Sequence, residues 1–133
     1  MSSVRLSRVG SVKVVSQSNS SVCLFGDSAA INPRSDVFAV QREQSRYLGN
    51  EGELEQFQIF QQSLPKLAVQ PPPFPVRIRN DSPYIDARSI HILGMSASAV
   101  LHVGSTGSID AETRIKHVRQ LLSIKEKPDE EER

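Results

Sequence analysis

Short aliphatic runs broken by small polar residues recur along this chain, and they do so twice with the same spacing. Residues 12–15 form one run, 16–21 a Ser/Gln/Asn break, and 22–25 a second run. Residues 90–93, 94–99 and 100–103 repeat the arrangement. β-Branched runs around a break of this composition predict a β-hairpin in each repeat. With hairpin tips at Ser18-Asn19 and Ser96-Ala97, Val12 faces Phe25, Val14 faces Cys23, Ile90 faces Val103 and Ile92 faces Leu101. Side chains alternate along a strand, so these eight apolar residues share one face of each hairpin. The opposite face is mixed, with Lys13 opposite Leu24 and His91 opposite His102, beside Val15–Val22 and Leu93–Val100. Gly26 and Gly104 are expected to end or bulge the second strand, and a third segment starts near Ile31 and Ile109.

The two units are related by an offset of 78 positions, which matches Ser11 with Ser89, Ser18 with Ser96, Ser20 with Ser98, Val22 with Val100, Gly26 with Gly104, Ile31 with Ile109 and Val40 with Val118. Val12/Ile90, Val14/Ile92, Val15/Leu93, Ser35/Thr113 and Val37/Ile115 are conservative pairs at the same offset. Such self-similarity marks an internal repeat. The expected fold is all-β: two related hairpin or three-strand units, about 9–43 and 87–122, packed as a small sandwich or open barrel. A connector over 44–86 joins them in one domain spanning 1–124. In the connector, 54–60 reads as a strand or short helix. Pro65, Pro71, Pro72, Pro73 and Pro75 make a stiff, polyproline-like stretch. Residues 76–79 read as a short strand, and 80–83 as a turn. In 110–124, Ile115, Val118, Leu121 and Leu122 sit at helical spacing, but the repeat favours a strand to about Gln120. The tail, 125–133, is charged and Pro-broken, and is expected to be disordered.

Composition narrows the function. Aromatics are only 5% of the 133 residues and Trp is absent, so a core must come from Val, Ile and Leu, with part of the apolar surface left for a partner to cover. A net charge of +1 is no footprint for nucleic acid, and it offers little self-repulsion against association. The N-terminal residues hold no continuous apolar stretch, so neither a signal peptide nor a membrane span is expected. Cys23 is alone and reads as a small buried hydrophobe rather than a reactive thiol.

Candidate chemistry is sparse. There is no Gly-x-Ser-x-Gly, no phosphate-binding loop and no paired-histidine metalloprotease motif. His91 and His102, facing across the predicted hairpin, would offer two metal ligands without a third, and read as half-exposed strand residues. Asp27 reads either as a turn cap or as an ion-pair partner of Arg34, with Pro33 shaping the next turn. The acidic run 129–132 reads as a solvated tail. No catalytic, cofactor-binding or metal-binding residue is assigned.

Several stretches together resemble the GerPE-type spore germination proteins. They are Val9-Gly10-Ser11-Val12, Phe25-Gly26-Asp27, Ile31-Asn32-Pro33-Arg34-Ser35, Ala39-Val40-Gln41-Arg42-Glu43, Ser98-Ala99-Val100-Leu101-His102-Val103-Gly104-Ser105, and Arg114-Ile115-Lys116-His117-Val118-Arg119-Gln120-Leu121-Leu122. The Gly-Asp and Ile-x-Pro-x-Ser elements are shared with smaller GerP proteins; the Arg-x-Lys-His-x-Arg-Gln-Leu stretch is the more specific mark. Gly104-Ser105 stands in the second repeat where the smaller proteins have Gly-Asp. The resemblance implies a protein made in the mother-cell cytoplasm and placed in the inner spore coat, where GerP proteins let small nutrient germinants reach their receptors. It implies a structural, non-catalytic role without cofactors. Other GerP-type and coat proteins are the expected partners, in homo- or hetero-oligomers. Gly26, Asp27, Pro33, Arg34, Gly104, Arg114, His117 and Arg119 are the candidate structural or interaction residues. A small-molecule carrier for germinants and, more remotely, a hydrolase using Asp27, His102 or Ser105 are the competing functions.

Overall fold

The computed structural model describes residues 5–44, 46, 49–66, 68, 71 and 73–121. The described residues are mainly strand. In the first repeat these are β1 (Leu6–Val14), β2 (Val22–Phe25), β3 (Ser28–Ile31) and β4 (Arg34–Arg42). In the second they are β5 (Tyr84–Ile92), β6 (Val100–Val103), β7 (Thr106–Ile109) and β8 (Glu112–Gln120). The all-β expectation holds, and the sheets do not close into a barrel.

The strand partners differ from the predicted hairpins. Each strand pairs in parallel with its counterpart in the other repeat: β1 with β5, β2 with β6, β3 with β7 and β4 with β8. The register is Val12 with Ile90, Cys23 with Leu101, Ile31 with Ile109 and Val40 with Val118. The offset of the sequence repeat is therefore the register of all four ladders. His91 lies beside Lys13 and His102 beside Leu24, so the two histidines do not face one another. The pattern misled for a physical reason: period-two alternation fixes which face a residue occupies but not which strand lies beside it. A parallel stack of like repeats puts apolar on apolar as well as a hairpin does.

The bends stack too. Ser18 N–H donates to Met95 O, Met95 N–H to Ser16 O, Ser98 N–H to Asn19 O, Gly26 N–H to Val103 O and Glu112 N–H to Pro33 O, all between 2.9 and 3.0 Å. Ser21 N–H reaches Ser18 O and Ala99 N–H reaches Ser96 O, closing matched turns in which Ser20 (φ 56°) and Ser98 (φ 58°) are left-handed. Positive φ at the third position is what a type II turn requires. The result is two rungs of one winding path. β1 and β2 share no ladder, and Ser7 Oγ, early in β1, donates to Val103 O at the end of β6.

Parallel partners need a long return connection, and residues 43–83 supply it. The segment predicted as strand or helix is a 3-10 turn, Leu54–Gln56, followed by the single-turn helix α1, Gln58–Gln61. It docks on the β4–β8 ribbon, with the Phe57 ring 4.7 Å from Phe38. Residues 76–79, predicted as a strand, form none: Val76 and Ile78 are exposed, so the segment buries no apolar face. The third segment of each repeat is two strands, bent at residues 32–33 and 110–111. The strand over 112–120 is as the repeat predicted. Leu122 and the tail 125–133 lie outside the described residues, as does Pro72 of the proline-rich stretch.

Burial is thin. Among the described residues, Ile31, Met95 and Val103 are the buried hydrophobics, and no side chain is below 2% exposed.

Candidate functional site: an open two-rung stack

Charged residues of the two repeats meet in columns because the register brings counterparts together. Arg8 and Asp86 form a two-pronged pair, Nε to Oδ1 at 2.6 Å and Nη2 to Oδ2 at 2.9 Å. The guanidinium also lies 3.8 Å over the Tyr84 ring. The hydrogen bond from Arg8 holds the Asp86 carboxyl below its ordinary value and raises the Arg8 guanidinium above its own. Arg34 pairs with its counterpart Glu112 and lies 3.5 Å from Asp110. Hydrogen bonding to Arg114 lowers the Glu112 carboxyl, and hydrogen bonding to Lys66 lowers Asp110.

The sequence-predicted residues divide by role. Asp27 caps a turn, but of the other repeat: its Oδ1 accepts the Ser105 N–H at 2.9 Å. Its counterpart is Ser105, so one carboxylate stands where the two rungs share a turn. Arg34 turns instead to Asp110 and Glu112. Pro33 is buried and accepts the Glu112 N–H. Gly26 has φ +113°, a left-handed conformation that favours glycine. At Gly104 close approach is decisive, since a Cβ there would lie 1.9 Å from Gly26 O. His102 Nε2 also binds Gly26 O at 2.7 Å, which places the ring proton on Nε2. Arg114 locks the connector to β8, donating to Ile59 O at 3.1 Å, Phe60 O at 2.8 Å and Glu112 Oε1 at 2.9 Å. His117 and Arg119 are exposed, beside Ala39 and Gln41 in register. The structure thus brings Gly26, Asp27 and Gly104 together at one stacked turn and leaves His117 and Arg119 apart from it.

Sequence reasoning missed Arg8, Asp86, Glu112, Met95 and Ser98. Cys23 Sγ contacts Met95 Sδ at 3.5 Å, and Ser98 Oγ donates to Glu112 O at 2.8 Å. The signal for the charged residues was present: opposite charges at the repeat offset, Arg8/Asp86, Arg34/Glu112 and Asp36/Arg114. Reading it required the parallel stack.

An open hollow of about 530 Å3 lies between residues 64–66 and 109–112. Of its three charged residues, Lys66 and Asp110 bind one another at 3.0 Å, and Glu112 is paired with Arg34 and Arg114. Among the described residues no group of three His, Cys, Asp or Glu side chains is placed to hold a metal ion, and no helix is long and apolar enough to cross a membrane.

What the geometry offers is edge. Among the described residues every strand has one ladder partner and one unpaired edge, and in a ladder alternate backbone N–H and C=O groups point away from the partner. Exposed apolar side chains line the ribbons, among them Val12, Phe25, Ile109 and Ile115, and the counterparts Val15 (60% exposed) and Leu93 (75%) follow directly after β1 and β5. A two-stranded ribbon is marginal in water by itself.

A family model described as "Spore germination protein GerPE" matches residues 6–128. A curated relative, "Probable spore germination protein GerPE" of Bacillus cereus, is 24% identical over 118 residues, covering 89% of this chain and 92% of the relative. No solved structure matches.

Proposed function

The chain belongs to the GerPE family of spore germination proteins, and from that premise we propose that it is a non-catalytic structural subunit of the inner spore coat. In this reading it helps small nutrient germinants cross the coat and cortex layers, and it acts by assembling with other GerP-type and coat proteins. The observation that carries the reading is the open stack: four ribbons, each one ladder wide, with unpaired edges and exposed aliphatic side chains. Such edges are templates for another chain. A germinant carrier would need a concave site with convergent polar groups free to bind. In the hollow beside Lys66 the charged groups are already paired, Lys66 with Asp110 and Glu112 with Arg34 and Arg114.

Germination of a deletion strain, measured before and after chemical removal of the coat, tests the role. Recovery after stripping supports a passage defect, and a persistent defect overturns the proposal. A fluorescent fusion that fails to localise to the coat would overturn the placement.

A further inference from the structure

We propose that the stack continues between molecules: β5–β8 of one chain pair in parallel, in register, with β1–β4 of a second copy of the same chain. The proposal deepens the assembly reading above and rests on it, by committing to the partner and the geometry.

Three observations carry it. First, the outer edge of the second repeat has the course of the edge on which the second repeat itself sits, bends included. A contact between like repeats would have to reverse either strand direction or the sense of the path. The head-to-tail contact keeps both, is heterologous, and does not close.

Second, counterpart residues are buried unequally, and the inequality changes side along the path. In the β1–β2 half the second repeat is better covered at the turn and the end of β6, where Met95 is 7% and Val103 8% exposed while the counterparts Gln17 and Phe25 are exposed; Val15 and Leu93 are both open. In the β3–β4 half the first repeat is covered: Ile31 is 6% exposed and Ile109 51%. The uncovered halves therefore lie on opposite repeats, Phe25 with Val12 on the first, Ile109 with Ile115 on the second. The head-to-tail copy brings together the kinds of surface that cover each other inside the molecule.

Third, the charges alternate. Continuing the stack places Asp86 between two Arg8 side chains, Glu112 between two Arg34, and Arg114 between two Asp36. Opposite charges directly across a ladder are favourable, and like charges are not.

The junction between molecules is looser than the one inside. A Cβ at Gly10 would lie 2.4 Å from Arg88 O, and one at Gly107 would lie 2.7 Å from Ala29 O. On the outer edges their counterparts are Arg88 and Ala29, so the backbone must give there. Gly104, the tightest approach, has Gly26 as its counterpart, with no atom within 4 Å of a Cβ. Association is accordingly reversible and concentration-dependent.

The test uses the purified full-length chain in sedimentation velocity. Mass is expected to rise with concentration without stopping at a dimer. Ile109→Asp blocks one end and Phe25→Asp the other, each at an exposed position, with circular dichroism checking the fold. Each variant alone should be monomeric, and their mixture should stop at a one-to-one dimer, since one good end of each remains. Arg88→Gly should lower the concentration of half-assembly by about tenfold; it needs neither Asp variant to fold. A wild-type chain that is monomeric throughout, a closed dimer, or an Arg88→Gly variant that associates no better would overturn the proposal. The spore assay separates the two ideas: a monomeric chain whose deletion still gives a strip-reversible defect sinks self-stacking alone.

Discussion

The two repeats follow the same path and are treated differently by the fold. Ile31 and Ile109 are the same residue at the same place in the repeat, yet one is buried and the other exposed. Ser98 Oγ has a partner in Glu112 O, whereas its counterpart Ser20 is exposed. Thr113 Oγ1 donates to Ala97 O at 3.0 Å, while its counterpart Ser35 Oγ is buried without a partner among the described residues. The comparison teaches that in a stack of two like rungs the environment of a residue is set by its neighbours above, below and beside it, not by its place in the repeat. Interior positions behave like a core, and their duplicates are left exposed.

The glycines should show the largest contrast. Gly104→Ala drives a methyl group into the Gly26 carbonyl, and its cost is expected above about 3 kcal/mol. Gly26→Ala meets no atom and costs only the left-handed backbone, about 1–3 kcal/mol. Denaturant titration of both variants checks the order, and equal losses would mean that the rungs are not in contact there.

Next comes the isoleucine pair, measured at dilution. Ile31→Ala should lose about 2–4 kcal/mol and Ile109→Ala under about 1 kcal/mol. A reversal of that order would refute the assignment of inside and outside.

A smaller effect is expected for serine. Ser98→Ala should cost about 1 kcal/mol through its lost bond to Glu112 O, and Ser20→Ala nearly nothing.

The smallest effect is that of pH. Asp86, Asp110 and Glu112 have carboxyls lowered in the folded chain by their cationic partners. Their contribution is complete above the ordinary carboxylate range near pH 4 and is lost as pH falls through the lowered values. Asp86 and Asp110 are exposed to screening and Glu112 is half-buried, so the acid-side slope should be shallow and salt-sensitive chiefly through the first two. Asp86→Asn should make it shallower still, as read by denaturant midpoints across pH.

Much of the fold was legible. The mainly-β class followed from the β-branched runs, and the 78-residue repeat, read from scattered Ser, Val and Gly matches, proved to be the ladder register. The turn at Gly26 and Gly104 was legible because glycine is informative wherever the backbone leaves ordinary space. What failed was adjacency, and with it the facing of His91 and His102. A loop of six small polar residues makes a hairpin and a side-by-side fold-back look alike. Asp27 read as a local turn cap or a partner of Arg34, and nothing local could say that its carboxylate serves Ser105 across the rungs.

The amino-acid pattern was enough for the mainly-β class, the strands of the two repeats, and the duplicated unit with its spacing, because strand preference is local and the duplication is written in residue identities. Only the tertiary structure decided which strand lies beside which, which member of each duplicate is covered, and that Arg8 meets Asp86. Those outcomes depend on chain segments 78 residues apart, and parallel and antiparallel partners satisfy the same local pattern until the whole path is laid down.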